Sequence, residues 1–203
     1  ATVHALALAH DNFWCTAGVH PDTEGLAEPD VAGLQALASL PRVVGIGETG
    51  LDYYRLNGRS VADTASQRAP FRAHIRAARR TGLPLVIHTR SASADTLAIL
   101  KEEGAGPADG GPGGVFHCFT ETLEVARAGL ELGFDLSFSG IVSFRNATDL
   151  REVLRFVPLE RCLIETDSPY LAPVPYRGKT NSPAYVPHVA SVLAAEKGLT
   201  VEQ

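Results

Sequence analysis

Four ionisable side chains stand at the ends of four separate apolar runs. Glu48 follows VVGIG, His88 follows PLVI, His117 follows GVF and Asp167 follows CLIET. A carboxylate or imidazole at the tip of a buried strand costs desolvation free energy unless it has a partner. Four such tips on four segments point to one shared partner. Imidazole nitrogens and carboxylate oxygens form a donor set suited to Zn²⁺, Mn²⁺ or Mg²⁺. A carboxylate such as Glu48, bridging two cations roughly 3.5–4 Å apart, would give the geometry of two-metal hydrolysis. One histidine at a strand end is weak evidence for a ligand; the repetition carries the expectation.

Other residues fit around such a centre. His20 ends the run FWCTAGVH and precedes Pro21, so the chain turns there and the imidazole is free to bind a second cation or a substrate phosphate. Arg177, Lys179 and Asn181 lie in the proline-rich segment PVPYRGKTNSP after the last apolar run. Arginine offers a fork of donors matched to phosphate, and Arg90 beside His88 is a similar candidate. Tyr53 or Tyr54, after Asp52, offers a ring on which a base can stack. Gly47 and Gly50 flank Glu48 and allow close backbone approach or a turn. The glycines of this segment also mimic a dinucleotide fingerprint. Glu48 falls inside it and would repel a pyrophosphate, so that assignment is discarded. No serine-nucleophile elbow or phosphate-binding P-loop is present.

The elements that must position these residues alternate. Strand-like runs fall at 13–19, 43–47, 85–88, 114–119, 134–139 and 162–166, and helical periodicity falls at 31–40, 65–80, 93–102, 121–132, 147–156 and 184–196. Strand–helix alternation over the whole length predicts parallel strands with crossover helices. An open doubly wound sheet concentrates its chemistry at one switch point, whereas a (β/α)₈ barrel gathers residues from the ends of many strands. The candidates come from nearly every strand, which favours an α/β barrel of the TIM type, here with about six of its eight strands. Residues 1–203 are read as one barrel domain lacking its N-terminal strands, because residues 1–10 have the character of a helix leading into a strand. The chain begins at Ala1 and has no methionine, consistent with a piece of a longer protein.

Composition narrows the classes further. Hydrophobic residues make up 45% and charged residues 20% of the 203, which is too apolar for disorder. No apolar run reaches the ~18 residues a membrane span needs, and no signal peptide is evident, so a cytoplasmic, membrane-free protein is expected. A net charge of −5 is not the footprint of a protein that coats nucleic acid, yet an enzyme can still grip phosphate locally. Cys15, Cys118 and Cys162 are odd in number and far apart, and read as reduced thiols rather than a disulfide framework. By strand alternation Cys118 is expected to face away from His117.

The motifs GVHP, GETGLDYY, HTR, HCFTE, SFSGIVSFRNA and ETDSPYLAPVPYRGKTNSP, in that order, resemble the TatD family of metal-dependent deoxyribonucleases. The resemblance runs from about Cys15 to the end. It implies a TIM-barrel branch of the metallo-dependent hydrolases. It also implies that Glu48, His88, His117 and Asp167 are metal ligands, that Asp167 orients or deprotonates the attacking water, and that His20 lies near substrate phosphate. The family opens with a strand ending in a His-x-His pair, which is absent from this sequence.

The expectation is therefore a hydrolase with two divalent cations (Mg²⁺, Mn²⁺ or Zn²⁺) per site that cleaves phosphodiester bonds. A 3′–5′ deoxyribonuclease acting on single-stranded DNA or 3′ ends fits best, with His20, Arg177 and Asn181 on the substrate and no obligate protein partner. The alternatives are a small-molecule ester, amide or phosphoester hydrolase on the same core, or an inactive fragment of such an enzyme.

Overall fold

The computed structural model describes residues 2–23, 29–54, 60 and 64–203. Helices and parallel strands alternate along it: α1 Thr2–Ala9, β1 Cys15–Ala17, α2 Val31–Ala38, β2 Val43–Asp52, α3 Ala65–Thr81, β3 Leu85–Arg90, α4 Ser93–Glu102, β4 Gly114–Phe116, α5 Leu123–Glu131, β5 Asp135–Phe138, α6 Thr148–Phe156, β6 Cys162–Ile164 and α7 Val186–Lys197. The six strands form one sheet in chain order. The pairings β1–β2, β2–β3 and β5–β6 are parallel, as crossover helices require. The chain divides into two compact units, 1–115 and 116–203.

In the first unit α3 shows why periodicity was readable. Phe71, His74, Ile75 and Ala78 follow the i, i+3, i+4, i+7 spacing and are all buried, while the helix stops at Gly82, which takes the left-handed conformation that ends many helices. The helix packs on β2 and β3, whose Ile46, Leu51, Leu85 and Ile87 are fully buried. Asp30 caps α2 by accepting the Gly33 N–H at 2.6 Å. Arg72 and Arg76 pair with Glu103 at 2.9 and 2.8 Å.

The second unit is built on phenylalanine. Phe116 packs edge-to-face on Phe119 and on Phe134, and Phe119 on Phe138, with ring centroids 6.4, 5.6 and 6.4 Å apart. Leu150, Val153 and Leu154 form the buried stripe of α6. Thr122 caps α5 through the Val125 N–H.

Two strand expectations change. β2 does not end at Gly47 but runs on to Asp52, so Glu48 lies within a strand rather than at its tip. β4 and β6 are three-residue strands, and they stop before His117 and Asp167. Those two residues sit in the turns that follow, where backbone geometry rather than strand alternation sets their direction.

Candidate metal centre

Glu48 sits where β2 is irregular. Ile46 pairs with Leu85 and Thr49 with Ile87, so three steps on β2 oppose two on β3. The extra residue is a β-bulge, a device that re-aims a side chain. Gly50 makes the close pairing possible. A Cβ there would lie 1.9 Å from the His88 carbonyl oxygen, and its φ of +139° favours glycine.

Within the first unit this geometry gathers His20, Glu48 and His88, whose ligating atoms lie within 4.8 Å of one another. Glu48 Oε1 is 3.0 Å from His88 Nδ1 and 3.4 Å from His20 Nε2, and the two histidines approach at 3.3 Å. The Asp22 N–H donates to His20 Nδ1 at 3.1 Å. A neutral imidazole has one acceptor nitrogen, so a neutral His20 carries its proton on Nε2, the nitrogen beside Glu48 and His88. His88 is backed by Asp52, whose Oδ2 is 3.0 Å from Nε2.

The second unit holds a matching trio, His117, Glu165 and Asp167, again with ligating atoms within 4.8 Å. His117 Nδ1 is 2.8 Å from Glu165 Oε1 and Nε2 is 3.6 Å from Asp167 Oδ1. Glu165 continues the β5–β6 pairing through its N–H to the Phe138 carbonyl at 3.0 Å, and its Oε2 accepts the Cys118 N–H at 3.1 Å. Burial pushes the Glu165 carboxyl up. His117, with help from Ser137 and the Cys118 N–H, outweighs burial and holds it below the usual carboxylate range. Asp167 has φ +55°, a left-handed turn that aspartate tolerates better than most residues.

Cys118 departs from expectation. Strand alternation placed it on the opposite face, but β4 has ended and Cys118 takes φ +44°. Its Sγ lies 3.1 Å from Ser139 Oγ and 3.9 Å from Asp167 Oδ2. All three cysteines are free thiols. Burial raises the Cys162 thiol to about 11, so it is protonated and unreactive at neutral pH.

Of the four expected ligands, Glu48 and His88 meet within the first unit and His117 and Asp167 within the second. His20 joins the first group and Glu165 the second. The signal for Glu165 was its place two residues before Asp167, on a segment that pairs with β5. Donor chemistry fits divalent cations in both groups, each of which combines imidazole nitrogen with carboxylate oxygen.

The surrounding candidates separate. Arg177 is exposed, with its guanidinium stacked 4.3 Å over the Phe144 ring. Asn181, expected to touch substrate, is instead 5% exposed; its Nδ2 donates to the Thr166 and Tyr170 carbonyls at 2.6 Å each, and Oδ1 accepts the Ser182 N–H. Both amide hydrogens are spent, so Asn181 is a staple of the segment that carries Asp167. Tyr53 is tied by its hydroxyl to Asp95 at 2.7 Å and to Arg68 at 3.0 Å. Tyr54 is 64% exposed, with Arg90 stacked 3.8 Å over its ring. Of the two tyrosines, only Tyr54 leaves a ring available.

Known proteins share this frame. The family described as TatD related DNase matches residues 1–203. An uncharacterized metal-dependent hydrolase of Escherichia coli strain K12, YcfH, is 51% identical over 194 residues, 95% of this chain and 69% of that protein. A 3′–5′ ssDNA/RNA exonuclease TatD of Klebsiella pneumoniae is 36% identical over 199 residues, 95% of this chain and 73% of that protein. The crystal structure of the Escherichia coli TatD homologue YJJV superposes with a TM-score of 0.87 at 25% identity, covering 99% of this chain and 75% of the other. Matched over its full length in sequence and fold, and carrying two donor groups of the kind a divalent cation needs, the chain belongs to the TatD family of metal-dependent hydrolases.

Proposed function

We propose that this hydrolase is a phosphodiesterase acting on DNA, of the 3′–5′ exonuclease type. The observation that carries the proposal is the pair of donor groups, His20–Glu48–His88 and His117–Glu165–Asp167, each compact enough to hold a cation. A phosphoester substrate is supported by the family description and by the activity named for the Klebsiella relative. Divalent cations held by Glu48, His88, His117 and Asp167 would neutralise phosphoryl oxygens and lower the pKa of water.

The chain's own residues supply the rest. Asp167 orients the attacking water and accepts its proton. His20, with its proton on Nε2, donates a hydrogen bond to a non-bridging phosphate oxygen. Arg177, exposed on its aromatic support, offers a guanidinium to the adjoining phosphate.

The test is degradation of 3′-labelled single-stranded DNA in the presence of Mg²⁺, Mn²⁺ or Zn²⁺, alongside a panel of small carboxylic and phosphate esters. Wild-type protein is expected to shorten the DNA from its 3′ end and lose that activity on chelation; Asp167→Asn is expected to abolish it. Turnover of small esters without DNA cleavage, or an Asp167→Asn protein of normal rate, overturns the assignment.

A further inference from the structure

β3 sorts its side chains onto two faces. Leu85 and Ile87 are fully buried, and the Thr89 hydroxyl meets the Thr96 hydroxyl of α4 at 3.1 Å. Alternation therefore sets Val86, His88 and Arg90 on the other face, so Arg90 stands one pleat, roughly 7 Å, beyond the His88 of the first donor group. The neighbouring strand keeps step: Gly50 pairs with His88 and Asp52 with Arg90. Tyr54 follows Asp52, and the Arg90 guanidinium carbon lies 3.8 Å from the centre of its ring. Tyr54 and Arg90 are both exposed, so the two strand ends present a stacked pair just past His88.

The backbone beneath this pair is held firmly. The Asp52 carboxylate accepts the Tyr54 N–H at 2.9 Å. Gln67, 8% exposed, brackets the Asp52 backbone: Oε1 accepts its N–H at 2.8 Å and Nε2 donates to its carbonyl at 3.0 Å. The Tyr53 N–H donates to the Arg90 carbonyl at 2.9 Å, which ties the two strand ends together. Tyr54 nevertheless remains 64% exposed. A ring on an ordered backbone, already braced by a cation over its face, has little freedom left to lose when a ligand stacks on it.

We propose that Tyr54, backed by Arg90, is the platform on which a nucleobase next to the scissile phosphate stacks, and that this platform selects strands whose terminal bases are unpaired. The inference rests on the phosphodiesterase reading above. In a nucleotide the sugar separates phosphate from base, so a phosphate at the first donor group leaves its base displaced outward, as Tyr54 is displaced from His88. Every base has a π face, so stacking tolerates any sequence. A base paired inside a duplex must first be drawn out of its stack, which costs free energy that a single strand does not pay. The Arg90 guanidinium, whose donors form a fork matched to phosphate, adds attraction for the same strand.

Binding reads the platform apart from catalysis. The probe is a 5′-labelled single-stranded oligonucleotide, followed by fluorescence anisotropy with chelator present so that nothing is cleaved. Tyr54→Ala is expected to weaken binding about 5–150-fold, and Tyr54→Phe, which keeps the ring, to restore it. When the two 3′-terminal nucleosides lack bases, wild type is expected to bind as weakly as Tyr54→Ala, and the substitution to cost nothing more. Wild-type affinity in Tyr54→Ala overturns the proposal, and so does an equal loss on the two oligonucleotides or a wild-type protein that binds neither. The same proteins are then given Mg²⁺, Mn²⁺ or Zn²⁺ and assayed for cleavage. The expected binding pattern without cleavage sinks the exonuclease reading and leaves the platform standing. Cleavage with binding and KM indifferent to Tyr54→Ala does the reverse.

Discussion

Acidification should destabilise this protein through His74. That side chain is fully buried on α3, with Nε2 accepting the Val19 N–H at 3.0 Å and Nδ1 donating to the Pro70 carbonyl at 2.7 Å. Burial holds its pKa below the ordinary histidine value, against a smaller opposing effect of the Pro70 hydrogen bond. A proton on Nε2 would also set a donor against the Val19 N–H. Above pH ~6.5 the folded and unfolded states are both neutral at this position, and no stability is lost. Below it the unfolded chain takes up a proton that the folded chain resists, so stability falls with pH until the lowered folded-state value is passed. At pH 5.5 the loss is at most about 1.4 kcal/mol, against less than ~0.1 kcal/mol at pH 7.5. For a chain of this size that corresponds to roughly 3–6 °C in Tm. The assay is urea unfolding from pH 7.5 to 5.5 for wild type and for His74→Gln, which cannot titrate; the remaining histidines cancel in the difference. Parallel pH profiles for the two proteins would refute the reasoning, whatever their offset.

Two further outcomes follow from backbone geometry and loop stapling. Gly50→Ala places a Cβ 1.9 Å from the His88 carbonyl at φ +139°, so β2 and β3 must part; a loss of roughly 4 kcal/mol or more is expected from the urea midpoint, and a midpoint within ~0.5 kcal/mol of wild type contradicts the close approach. Asn181→Ala unpairs the Thr166 and Tyr170 carbonyls beside Asp167; a stability loss of about 1–3 kcal/mol is expected by the same measurement, whereas unchanged stability with weakened DNA binding would return Asn181 to the substrate.

Much of the candidate centre was legible in the chain. An apolar run that ends in a lone carboxylate or imidazole is legible because burial there demands a partner. Hence Glu48, His88, His117 and Asp167 stood out, and the alternation of helix and strand was visible from hydrophobic spacing alone. Asp52 and Glu165 were not singled out: spacing alone put Glu165 two residues before Asp167, but nothing local shows that either acid faces a histidine. His74 was passed over for a related reason: on a helix of polar mean hydropathy, only the packing of α3 shows that its ring is inside. Asn181 was misjudged because a polar residue in a proline-rich segment reads as exposed until its amide is seen spent on two carbonyls.

What the sequence by itself determined was the kind of chemistry and the order of the elements: donor types, their separation by helices, and the parallel strands those helices impose. Only the tertiary structure decided which donors meet and by which atom. A bulge at Glu48, left-handed turns at Cys118 and Asp167, and buried carboxylates against opposite nitrogens of His88 and His117 are contacts between residues far apart in the chain. Local periodicity records which face is apolar, but direction and protonation are set by the neighbours that folding brings alongside.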